Sequence, residues 1–98
     1  MQEFKGTPGP WEMKKEKGEP EWFVIKKGSM RKLYGRTIRT PVAEGINNKH
    51  DANLIAAAPE LLEALREVTG SLGVMVTDPG NCPEIIKARS VIAKALGK

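Results

Sequence analysis

The chain has 98 residues, 40% of them hydrophobic, with one cysteine and a net charge of +4. That length suits one domain with a modest core, which association into an oligomer would help. A single cysteine excludes an internal disulfide, and no apolar run reaches the roughly 18–20 residues of a membrane span. The start, Met1-Gln2-Glu3-Phe4, lacks a secretory pattern, so a protein of a reducing cytoplasm is expected.

"TPGPW" (Thr7 to Trp11) holds two prolines and a glycine and reads as a turn or extended lead-in. Glu12 to Lys15 suits a short edge strand, ended by Gly18 and Pro20. "EWFVIKK" (Glu21 to Lys27) is the strongest strand, aromatic and β-branched, closed by Gly28-Ser29 as by a hairpin turn. Leu33 to Thr40 alternates as a partner strand with Tyr34, Arg36 and Ile38 on one face. Pro41 interrupts, and Val42 to Glu44 can continue as an edge. An antiparallel meander of three to four strands is expected. Its middle carries the charge: Trp22 to Ala43 has no acid but has Lys26, Lys27, Arg31, Lys32, Arg36 and Arg39. That bias points to an anionic partner, or else to a solvated face of the sheet.

From Asp51 onward the pattern is helical. Leu54, Ala58, Leu61, Leu65, Val68 and Leu72 recur at spacings of three and four, broadened by Ile55 and Leu62 into a stripe expected to be buried. Asp51 suits an N-cap and Gly70 a stop. Pro59 interrupts the run but not its phase. This predicts one helix kinked at Ala58-Pro59, or a short helix running into a longer one. Asp78-Pro79-Gly80 turns into a last helix from about Pro83 to Leu96, capped by Asn81 or Cys82. Its apolar side is Ile85, Ile86, Ile92, Ala93 and Leu96, with Arg89 in the middle of that side. The expected fold is α+β: a single domain, β-rich over residues 1–46, with a two-helix hairpin over residues 47–98.

Enzyme signatures are sparse. The lone His50 and lone Cys82 cannot form a His/Cys metal site, and Cys82 at a helix start reads as a capping residue. "KGTPGP" lacks the spacing of a phosphate loop, and Glu60, Glu63 and Glu67 fit a solvated helix face. Neither catalysis nor a cofactor or metal is expected.

Binding features stand out more. Trp22, Phe23 and Tyr34 lie among the cations, where rings can stack on bases or pack in the core. Trp11 is either a plug over the sheet edge or a stacking platform. Arg89 on an apolar face needs a partner: a neighbouring glutamate, or an anion. Asn53, beside Ala56, Ala57, Glu60 and Ala64, suits either a close second helix, including one from another subunit, or plain exposed decoration.

"TPGPW", "NLIAAAPELLEAL" (Asn53 to Leu65) and "ARSVIAKALGK" (Ala88 to Lys98) together resemble a set of short phage and prophage accessory proteins. The likeness runs end to end, with no motif between Glu12 and Asn47. It departs in one place: Asn53 directly precedes Leu54, where the set has a further intervening residue. The resemblance implies a phage protein at work in a bacterial cytoplasm. In size and layout the chain is also similar to phage anti-defence sponges of the Thoeris type, oligomers that sequester nucleotide messengers of host immunity.

The leading expectation is therefore a non-enzymatic anti-defence protein, oligomeric through its helices, that captures an anionic nucleotide. Trp11 would stack, Arg36 and Arg39 would hold phosphate, and Asn53 and Arg89 would supply polar contacts. The alternatives are a protein-interaction module that inhibits a host enzyme, and a nucleic-acid-binding protein using the basic segment 22–43.

Overall fold

The computed structural model describes residues 4–97 and has the expected α+β class, with five strands and three helices. Two compact units divide the chain, one of residues 7–59 and one of residues 1–6 with 60–98.

In the unit of residues 7–59, β1 (Trp11–Lys14), β2 (Trp22–Lys26) and β5 (Ala43–Ile46) form an antiparallel sheet in the order β1-β2-β5. β2 holds the centre because its apolar residues are buried on both faces: Phe23, Val24 and Ile25 are all in the core. On one face Val24 and Ile46 pack with Ala52 of α1 (Lys49–Ala56), ringed by Trp11, Met13, Trp22 and Ile55. The indole Nε1–H of Trp11 donates to the Thr7 carbonyl at 3.2 Å, tying the TPGPW lead to the sheet.

The expected antiparallel meander is present as β1-β2-β5, and the described residues hold five strands rather than three to four. The partner expected over Leu33 to Thr40 folds back on itself as β3 (Arg31–Leu33) and β4 (Arg36–Ile38), a separate two-stranded ribbon. The reason is the turn at Tyr34-Gly35, where both residues have positive φ (51° and 76°) as a two-residue hairpin loop requires. β2 instead pairs with β5, near the edge expected over Val42 to Glu44. The register shifts from Trp22↔Ile46 to Val24↔Ala43, so one extra residue of β5 bulges opposite Phe23. Gly45, with φ of +73°, accommodates that bulge.

The first helix begins earlier than Asp51. Asn48 is its N-cap, with Oδ1 accepting from the His50 and Asp51 amides at 2.7 and 3.4 Å. The chain does break near Pro59, one residue before the expected kink: α1 ends at Ala56, Ala57 caps it, and α2 (Ala58–Met75) starts afresh. Pro59 thus lies in a first helical turn, where its missing N–H has no carbonyl to serve.

In the unit containing residues 60–98, α2 runs through Gly70, the expected stop, to Met75. Thr69 is buried, its Oγ1 donating to the Leu65 carbonyl at 2.6 Å. The stripe expected to be buried is only half so. Leu62, Leu65 and Leu72 are half-buried, whereas Leu61 and Val68 are 52% and 63% exposed and Leu54 of α1 is likewise exposed; Met75, beyond that stripe, is 80% exposed. A short 3₁₀ turn at Pro79–Asn81 leads to α3 (Pro83–Ala95), which buries Ile85 but leaves Ile86 exposed. At its start the Cys82 thiol donates to Glu84 Oε2 at 3.3 Å. Glu84 is held below the usual carboxylate range, first by its backbone hydrogen bond and then by that thiol.

Candidate functional site on the basic ribbon

Two features of the unit of residues 7–59 compete as a site. The first is a cleft of about 280 Å³ at the bulged edge, lined by Glu19, Glu21, Trp22, Phe23, Arg39, Glu44 and Gly45. Arg39 is its one cation, and that charge is already engaged. Its guanidinium lies 3.8 Å from the centre of the Phe23 ring, with Nη1 2.5 Å from Glu16 Oε1. Three carboxylates against one paired guanidinium make poor surroundings for a phosphate.

The second is the β3–β4 ribbon. Every residue from Arg31 to Ile38 is exposed. Pairing sets Arg31 opposite Ile38 and Leu33 opposite Arg36, so these four share a face, while Lys32 and Thr37 share the other. Tyr34 stands at the tip, 95% exposed. The ribbon and the residues leading into it from β2 carry Lys26, Lys27, Arg31, Lys32 and Arg36 with no acid among them. An acid-free β-ribbon with cations on both faces, two aliphatic side chains and an aromatic tip can grip phosphates while meeting flatter apolar surface.

The residues singled out from sequence are dispersed. Trp11 is packed against the core cluster, Arg36 lies on the ribbon, Arg39 lines the acidic cleft, and Asn53 is exposed on α1. Arg89 is on α3, in the other unit, exposed between buried Ile85 and half-buried Ile92 and Ala93 and with no ion pair or hydrogen bond among the described residues. Sequence reasoning did not mark the ribbon as separate from the sheet, nor Glu19, Glu21 and Glu44 as a cleft. Among the described residues no three His, Cys, Asp or Glu side chains converge as metal ligands, and no helix is long and apolar enough to cross a membrane.

An α+β chain with a basic ribbon and the three sequence motifs is also a phage protein by comparison. Residues 1–98 match the family described as Salmonella phage P22 protein Y8K6, and the chain belongs to that family. No curated protein and no solved structure matches it. The phage accessory protein implied by the motifs is thereby supported.

Proposed function

We propose that this phage accessory protein acts by binding nucleic acid through the β3–β4 ribbon, without catalysis. One observation carries the reading: Arg31, Lys32 and Arg36 are all exposed on an eight-residue ribbon that contains no acid. Phosphate contacts of this kind release counterions, so affinity falls by about 0.7–0.9 logarithmic units per contact for each tenfold rise in salt. Titration of labelled DNA and RNA with the full chain, followed by fluorescence anisotropy across a salt series, tests it. The expected result is salt-steep binding that the triple variant Arg31→Ala, Lys32→Ala, Arg36→Ala loses. No anisotropy change at the lowest salt would overturn it.

Sequestration of an immune nucleotide messenger is the reading this replaces. It asks for a cationic pocket, whereas the cleft described is rich in carboxylates. A stoichiometric nucleotide released on denaturing protein purified from a host with active nucleotide-signalling defences would restore it. Self-association through α2 belongs to the same proposal, because Leu61, Val68 and Met75 form an uncovered apolar line along that helix.

A further inference from the structure

Four aromatic side chains are available for stacking in the unit of residues 7–59, and packing disqualifies three. Phe23 is buried in the sheet with a guanidinium over its ring. Trp22 packs against the core cluster, with Lys15 Nζ 5.5 Å from its ring centre. Trp11 packs there too, its N–H spent on the Thr7 carbonyl. Tyr34 alone stands clear, at the ribbon tip.

Its backbone adds a second, independent observation. Tyr34 has a φ of 51°, in the left-handed region that glycine, asparagine and aspartate tolerate and a bulky residue does not favour. A turn selected only for folding would carry Asn-Gly or Asp-Gly here. An aromatic ring placed where it strains the turn and packs against nothing gains the fold nothing.

We infer that Tyr34 is a base-stacking residue and that the ribbon's ligand is single-stranded nucleic acid. The inference rests on the nucleic-acid reading above and narrows it. Stacking requires an unpaired base, whose flat face the ring covers while Arg31, Lys32 and Arg36 hold the flanking phosphates. Stacking tolerates any base, so recognition of the strand rather than of a sequence is expected.

Anisotropy titrations of the full chain with oligo(dT), oligo(rU) and a mixed-sequence duplex, each of about 15 nucleotides or base pairs, test this. Tyr34→Ala is expected to weaken single-strand binding by about 5- to 100-fold and duplex binding little, with Tyr34→Phe close to wild type. Tyr34→Asn is expected to bind as poorly as Tyr34→Ala yet melt at a higher temperature than wild type. A merely structural tyrosine would melt lower. The relative affinities for oligo(dT) and oligo(rU) say which strand is the better source of the base. Wild-type affinity in Tyr34→Ala, alongside lost binding in the arginine and lysine variant, overturns the stacking role and leaves the ribbon reading standing. Equal loss on duplex and single strand also overturns it, in favour of a groove contact. Absence of binding by the wild-type chain removes both.

Discussion

Gly9 lies so close to Pro59 that a β-carbon on Gly9 would sit 2.6 Å from Pro59 Cβ and 3.1 Å from its Cγ. The TPGPW lead and the proline of the LIAAAPELLEAL block therefore meet in the folded unit of residues 7–59. Pro59 answers to this contact as well as to the start of α2. Gly9→Ala is expected to destabilise the protein by about 1–3 kcal/mol, because one methyl group is forced into filled space. Pro59→Gly removes the opposing carbons, so Gly9→Ala should cost less in that background. Urea unfolding of the four proteins measures the coupling. Purely additive losses would mean that the two residues do not constrain each other.

Arg39 is an anchor of the sheet in this structure, through Phe23 and Glu16, rather than a free cation. Arg39→Ala should lower stability by about 1–2 kcal/mol, chiefly by uncovering the ring. The pair with Glu16, partly exposed on both sides, should contribute no more than about 1 kcal/mol in a double-mutant cycle. Arg39→Lys should recover only part of the loss, since an ammonium lacks the planar fork that stacks and pairs together. The salt slope of oligonucleotide binding should stay that of wild type, whereas Arg36→Ala should flatten it. A flattened slope in Arg39→Ala would put Arg39 in the binding surface.

Much of this was legible in the sequence. EWFVIKK announces a central strand because its apolar residues are contiguous, and the break before Pro59 follows from the missing N–H. The ribbon was not legible, because its turn uses Tyr34-Gly35 rather than the Asn-Gly or Asp-Gly that signals such a loop. The bulge at Gly45 was hidden for a similar reason: a one-residue register shift leaves no mark in an alternation only four residues long. Among candidate site residues, Arg36 falls where its chemistry is usable. Trp11 and Arg39 are engaged in packing, which composition cannot distinguish from availability.

Glu84 gives α3 a pH dependence of known sign. Its carboxylate is favoured in the folded chain by hydrogen bonds from its own backbone and from Cys82, which lower its pKa. A group with a depressed folded pKa contributes stability above its unfolded value and loses it as pH falls through the folded value. Acid should therefore loosen the start of α3, and Glu84→Gln, which lacks the charge, should flatten the acid limb by lowering stability above it while matching wild type at the acid end. Thermal melts across the acid range read this out. A variant curve parallel to that of wild type would deny Glu84 the role.

The uncovered line on α2 makes the most consequential prediction. Leu61, Val68 and Met75 recur every seven residues, with exposed Ala64 and Ser71 between them, so the five follow a 3.5-residue seam. A second α2 lying antiparallel sets each large side chain opposite a small one. A parallel copy would oppose large to large and align Glu60, Glu63 and Glu67 with their counterparts. An antiparallel dimer is thus the expected association. Five side chains per copy make a small seam, so the dimer should dissociate on dilution. Val68→Lys should leave the chain monomeric at every concentration, with the melting temperature of the dilute wild-type chain, since that side chain is mostly exposed within the protomer. Sedimentation equilibrium decides the first point. Spin labels at Glu60→Cys in a Cys82→Ser chain decide the second, with a separation of about 20–30 Å expected for antiparallel helices and about 10 Å for parallel ones. A wild-type chain that stays monomeric would show that α2 keeps its apolar line for something other than a second copy.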